Sequence, residues 1–119
     1  MKTHKDLMVW KESIDLVSLI YEKTKSFPKD ELFALTSQIR RSAISIPSNI
    51  AEGAARESNR EFLRFLYISL GSVSELDTQL IIANNLSFLI GEDHIRINEK
   101  LNEIGKMLTG LIKFRRDKL

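Results

Sequence analysis

The 119-residue chain contains no cysteine, which excludes disulfides, thiolate metal sites and a cysteine nucleophile together and fits a reducing compartment such as the cytoplasm. Two prolines and five glycines are too few for a turn-rich β architecture, so a helical fold is favoured. No long apolar run is present. The most apolar segment, Leu80 to Ile90, is interrupted by Asn84, Asn85 and Ser87 and falls well short of the roughly 20 residues that span a bilayer. The opening Met-Lys-Thr-His-Lys-Asp leads into a charged amphipathic stretch and not into the apolar core of a signal peptide, so neither secretion nor membrane insertion is expected. Histidine is scarce as well: His4 and His94 belong near opposite ends of the expected fold, and neither has a nucleophile at catalytic spacing. A phosphate-binding glycine loop and the arginine-histidine pattern of helical ribonucleases are both missing, so the chain is not expected to be an enzyme. Glu92, Asp93 and His94 read as a capped turn and not as a metal site, and no cofactor is expected. An excess of one charge is also lacking. The net charge of +2 permits a polyanionic partner without demanding one, so the placement of the charges has to decide.

What is there is a set of four helical stripes. Leu7, Trp10, Ile14, Val17, Tyr21 and Thr24 recur at steps of three and four, with Leu16 and Ile20 widening the face, and predict a first helix ending near Ser26. Pro28 disfavours helix at Phe27, and Lys29-Asp30-Glu31 supplies a capping candidate for a second helix. That helix carries Leu32, Leu35, Ile39, Ser42, Ile46, Asn49 and Gly53, so its stripe turns small and polar halfway along. Ser58-Asn59-Arg60-Glu61 is a capping-box sequence that opens a third helix, with Phe62, Leu66, Ser69, Val73, Leu76, Leu80 and Ala83 on one face as far as about Leu89. Gly91-Glu92-Asp93 makes the next turn, and a fourth helix presents Ile97, Leu101, Ile104, Leu108 and Leu111 up to the basic C-terminus. Short connections between long helices predict one all-α domain over residues 1–119, an antiparallel up-down-up-down four-helix bundle.

Three places break local rules. Pro47 inside helix two removes a hydrogen bond to the Ala43 carbonyl and predicts a kink there; a short loop splitting the helix is the alternative. Gly71 in mid-helix three predicts a close approach of helices two and three, level with Ser45, with Ser42 opposite Val73 and Ser74 and with Arg40 and Arg41 near Glu75. Helix three is also apolar around most of its circumference, and Leu63, Tyr67 and Leu70 form a second face that suggests a subunit interface.

The unusual residues carry a family resemblance. Gln38-Ile39-Arg40-Arg41-Ser42-Ala43, Ser45-Ile46-Pro47-Ser48-Asn49-Ile50-Ala51-Glu52-Gly53, Arg56, Ser58, Glu61-Phe62, Phe65-Leu66, Gly71-Ser72, Glu75-Leu76 and Gln79 form most of it, together with Asp6-Leu7, Val9-Trp10-Lys11 and Phe27-Pro28. They resemble the bacterial four-helix-bundle proteins encoded in intervening sequences of 23S ribosomal RNA genes. The resemblance implies a cytoplasmic bacterial protein, a ring-like homopentamer and a link to RNA, and it marks Arg40, Arg41, Pro47, Asn49, Glu52, Gly53, Gly71 and Glu75 as motif residues. It also implies kinship with the accessory variability proteins of diversity-generating retroelements, which assist a reverse transcriptase, and it offers no catalytic residues to carry over.

The antiparallel arrangement makes a charge argument that is independent of the family. One bundle end gathers Lys2, Lys5, Arg56, Arg60, Arg64, Lys113, Arg115, Arg116 and Lys118 against Asp6, Glu52, Glu57, Glu61 and Asp117. The opposite end holds Lys23, Lys25, Lys29 and Arg96 against Glu22, Asp30, Glu31, Glu92 and Asp93. The excess at the first end makes Arg56, Arg60, Arg64, Lys113, Arg115, Arg116 and Lys118 candidates for binding phosphates of structured RNA. The plainer alternative is that Arg60 and Arg64 pair with Glu57 and Glu61 along a solvated helix while the terminal lysines and arginines complement a helix C-terminus. No helix-turn-helix, zinc-finger spacing or RNA-recognition motif is visible, so backbone or shape recognition is expected in place of base reading. A protein-binding scaffold, for example for a nucleic-acid enzyme, is the competing reading.

Overall fold

The structure is a computed structural model that describes residues 3–119. Four α-helices account for most of it: α1 (Met8–Thr24), α2 (Leu35–Ala54), α3 (Asn59–Asn85) and α4 (Gly91–Arg116), with short 3₁₀ turns at His4–Asp6 and Lys29–Glu31. No strand occurs among the described residues. At about 1.5 Å per residue the two longest helices reach about 40 Å, which matches the 45 Å long axis of a body 24 and 20 Å across.

The core is a continuous column of aliphatic side chains drawn from all four helices. Leu16 and Ile20 of α1, Ile39, Ile46 and Ile50 of α2, Leu66, Leu76 and Leu80 of α3, and Ile97, Leu101, Ile104 and Leu108 of α4 are essentially inaccessible to solvent. Fully burying one such side chain contributes about 1.5–3 kcal/mol, so this column is the main source of stability. Cross-helix contacts fix the directions of the chains. Between α2 and α3, Ser42 meets Gln79, Ser45 meets Ser72, and Ser69 donates to the Ile46 carbonyl, so one helix descends as the other ascends. Asn59 at the start of α3 donates to the Arg115 carbonyl near the end of α4, and Lys23 at the end of α1 pairs with Asp93 at the start of α4.

Several expectations need correction. In α1 the stripe through Ile14 and Tyr21 is partly exposed and forms a shoulder against α2, while Val9, Ser13, Leu16, Ile20 and Thr24 face the core. Two apolar stripes run side by side there, and the one through Leu16 and Ile20 is the one buried among the other helices. α1 ends at Thr24, whose hydroxyl turns back to the Ile20 carbonyl at 2.7 Å. Asp30 and Glu31 do not cap α2; they lie in the 3₁₀ turn, and α2 begins at Leu35 behind Ala34, which offers no side-chain cap. Helix α3 stops at Asn85 and not near Leu89. Ser87 takes a left-handed conformation (φ 65°), and the Phe88 and Leu89 amides close back on the Ala83 carbonyl. In α4 the last inward position is Ile112, with Leu111 half-buried beside it.

Helix α2 runs unbroken through Pro47, so no loop divides it. Gly71 is exposed, and a Cβ there would meet nothing within 4 Å. The close approach lies at Gly53, where a Cβ would sit 2.6 Å from Phe65 Cβ and 3.2 Å from the Phe62 carbonyl oxygen. Gly71 was one residue out of phase: the small residues that face α2 are Ser69 and Ser72, and a step of one residue turns a side chain about 100° round the helix.

Candidate nucleic-acid interface

The start of α3 and the end of α4 share one end of the bundle, and both are rich in arginine and lysine for local reasons. Ser58 accepts from the Glu61 amide at 3.1 Å, fixing the first turn of α3. The reciprocal half of the capping box is not formed, and Glu61 instead pairs with Arg64 at 3.6 Å. Lys113, Arg115 and Arg116 occupy the last turn of α4, where cations offset the free carbonyls. The 2.6 Å bond from Asn59 Nδ2 to the Arg115 carbonyl clamps the two termini together.

Four aromatic rings bring order to these cations. The Arg56 guanidinium lies 4.8 Å from the Phe65 ring centre and that of Arg64 5.5 Å from the same ring. Arg115 lies 5.0 Å from the Phe62 ring, Lys118 lies 4.8 Å from Phe114, and Arg116 Nη1 is 3.4 Å from the Tyr67 hydroxyl. Stacking of this kind contributes about 0.5–1 kcal/mol at exposed sites and holds a guanidinium flat while its N–H groups still face solvent. The sequence reading named the cations and missed the rings; the alternation in Arg60-Glu61-Phe62-Leu63-Arg64-Phe65 was the available signal.

The balance of charge at this end remains positive. Among the described residues Lys5, Arg56, Arg60, Arg64, Lys113, Arg115, Arg116 and Lys118, eight in all, face five carboxylates, Asp6, Glu52, Glu57, Glu61 and Asp117. Arg56 is engaged by Glu52 at 2.8 Å and Arg64 by Glu61, both exposed pairs of small energetic weight. Arg60, Lys113, Arg116 and Lys118 take no ion pair among the described residues, so of the pairing expected for Arg60 and Arg64 only Arg64–Glu61 is formed. Arg115 is held more deeply: its Nε and Asn59 Oδ1 are buried without a hydrogen-bond partner in a small polar hollow with Arg56, Glu57 and Ser58. Lys2 lies outside the described residues.

The other candidates are scattered. Arg40 turns away from Glu75 toward α1, where its Nε donates to Thr24 Oγ1 at 3.0 Å and its guanidinium covers Tyr21. Arg41 shares a cleft with Glu75 without pairing to it, and Asn49 bonds back to Ser45 within its own helix. Leu63, Tyr67 and Leu70 do not form one exposed face. Leu63 belongs to the core and Leu70 packs against it, and only Tyr67 is open to solvent, 48% exposed. His4 packs its edge against Trp10 beside α1, and His94 lies in the first turns of α4. No cluster of three or more metal-ligating side chains occurs among the described residues, and none of their helices is long and apolar enough to cross a membrane.

This arrangement of four helices has counterparts. The sequence profile of the 23S rRNA-intervening sequence protein family matches residues 5–110. The chain belongs to that family. Among solved structures, a protein of unknown function from the S23 ribosomal protein family of Bacteroides thetaiotaomicron is 29% identical, with a TM-score of 0.83 over 92% of this chain and 98% of the other. No curated protein matches the chain. Both matches run along nearly the full length of the bundle, and the Bacteroides protein shares its fold.

Proposed function

We propose that this member of the 23S rRNA-intervening sequence protein family is a non-catalytic, oligomeric bundle of the bacterial cytoplasm that holds the phosphate backbone of structured RNA at its basic end. The observation that carries the reading is the set of cations without carboxylate partners among the described residues, Arg60, Lys113, Arg116 and Lys118, beside arginines seated over Phe62 and Phe65. Phosphate oxygens accept well from such donors, and the exposed guanidinium groups over the rings add further donors for them. One bundle presents few contacts. A homopentamer, the assembly that the family resemblance implies, would repeat them around a ring and raise a weak affinity by avidity.

The test is binding of a structured RNA across a salt series, with Arg60→Ala and Arg116→Ala as controls. Each lost phosphate contact is expected to lower the slope of log K against log salt by about 0.7–0.9. Absence of binding at low salt sinks the reading.

A second reading is favoured by a separate observation. Leu32, Leu86, Ile90 and, above all, Phe33 at 93% exposure crowd the opposite end of the bundle with uncovered apolar surface. Such a patch suits a protein partner, and the chain would then act as a scaffold for a nucleic-acid enzyme, a reverse transcriptase for instance, without touching nucleic acid itself. Phe33→Ser that abolishes partner capture while leaving RNA affinity unchanged would select this reading.

A further inference from the structure

Half of the eight cations at the basic end ride on a stretch of helix with little beneath it. Ile112 is the last buried residue of α4, and beyond it every residue except Arg115 is exposed. Lys113, Arg115, Arg116 and Lys118 all lie in this segment. A helix end of this kind opens easily, because few buried contacts are lost when it does and its last carbonyls have no intrahelical donors. The first turn of α3 beside it is firm. Phe62 is buried there, and Ser58 Oγ accepts from the Glu61 amide.

Three polar or stacking contacts among the described residues tie the loose segment to the firm one. Arg116 Nη1 stands 3.4 Å from the Tyr67 hydroxyl in solvent, near the outer limit of a hydrogen bond. The Arg115 guanidinium lies 5.0 Å from the Phe62 ring centre, and Asn59 Nδ2 donates to the Arg115 carbonyl at 2.6 Å. Only the last of these holds the main chain of α4. The same carbonyl accepts from the Lys118 amide at 3.1 Å, so the Asn59 bond sits where the helix gives way to its final residues. Its direction is fixed, since turning the amide round would set two acceptor oxygens 2.6 Å apart.

We infer that Asn59 is a positioning residue for the basic end: by holding the Arg115 carbonyl it keeps the last turn of α4 folded, so that Lys113, Arg115, Arg116 and Lys118 are in place before RNA arrives. The inference rests on the RNA reading. Asn59 touches no phosphate in this account; it supplies preorganisation, because a segment that has to order on binding lowers affinity without losing a contact.

The test compares the full chain with Asn59→Ala, by hydrogen exchange of the free and RNA-bound proteins and by binding of a structured RNA across a salt series. Alanine is at least as good a helix former as asparagine, so α3 keeps its first turn. In Asn59→Ala the Arg115, Arg116 and Asp117 amides are expected to exchange roughly tenfold faster than in the parent, and RNA is expected to restore their protection. RNA affinity is expected to fall by roughly tenfold with the slope of log K against log salt unchanged, because the same phosphates are met once the segment orders. Arg116→Ala is the contrast: it removes a contact and lowers the slope by about 0.7–0.9. Parent-like exchange or unchanged RNA affinity in Asn59→Ala overturns the assignment and leaves the RNA reading standing. A slope that falls as it does in Arg116→Ala also overturns it, since Asn59 would then govern the number of contacts and not their readiness. Absence of RNA binding by the parent at low salt overturns both.

Discussion

Replacing Gly53 by alanine tests the packing of α2 against α3 more sharply than any large-to-small change. The added methyl would fall 2.6 Å from Phe65 Cβ, 3.0 Å from Phe62 Cδ1 and 3.2 Å from the Phe62 carbonyl oxygen. Two of these atoms belong to the backbone or lie next to it, so no side-chain rotation relieves the contact, and the helices have to separate by several tenths of an ångström or more. Overpacking of this kind costs about 1–3 kcal/mol, while the helix propensity gained on going from glycine to alanine returns at most about 1 kcal/mol and less near a helix end. The expected net loss is about 1–2 kcal/mol, or roughly 4–8 °C in Tm for a chain of this size. Gly71→Ala is the internal control: the position is exposed and open, and the same substitution should stabilise by about 0.5–1 kcal/mol. Thermal and urea unfolding of both variants beside the parent decide the matter. A neutral or stabilising Gly53→Ala, or a destabilising Gly71→Ala, would refute the assignment of the close approach to Gly53.

Ser87 holds a left-handed conformation without the freedom of glycine, so Ser87→Gly is expected to raise stability by up to about 1 kcal/mol in urea unfolding. Ser69→Ala removes a buried bond to the Ile46 carbonyl and should lower stability by about 0.5–1.5 kcal/mol, visible as a shift in the urea midpoint without change in slope. Leu66→Ala empties a fully buried position shared by the helices and is expected to lose about 2–5 kcal/mol by the same measurement. Leu63→Asp should prevent folding, whereas Tyr67→Asp should leave the monomer's helical circular dichroism unchanged, since the first side chain is in the core and the second in solvent.

The helices were legible wherever apolar residues kept one stripe. Ile39 and Ile46, Leu66, Leu76 and Leu80, and Ile97, Leu101, Ile104 and Leu108 were all assigned inward from spacing alone, and all are buried. α1 was harder because its apolar residues occupy two adjacent stripes, and only tertiary packing chooses between Ile14 and Leu16. The ends failed where backbone geometry departs from its residue signals. Asp30 and Glu31 look like a helix start but close a 3₁₀ turn, and Ser87 takes a conformation usually marked by glycine. For the candidate interface, topology placed the cations at one end. The stacking of Arg115 on Phe62 was out of reach of spacing, because the two meet only after α3 and α4 have packed, whereas Arg64 beside Phe65 and Lys118 one turn from Phe114 are local in sequence.

The serines between α2 and α3 bear on which bundle the chain can form, as distinct from how stable it is. Aliphatic stripes of similar residues tolerate sliding by one helical turn, about 5.4 Å, with little loss of buried area. The pairs Ser42–Gln79, Ser45–Ser72 and Ser69–Ile46 carbonyl are tied to one alignment, because a slip breaks all three together and leaves the buried Ser69 hydroxyl without its carbonyl partner. Their net contribution to stability is small, and their penalty in every misaligned arrangement is large. The hydrogen-bonded alignment of the two helices is therefore favoured over slipped ones, and replacing these serines by alanine and valine is expected to narrow that gap by more than it lowers stability.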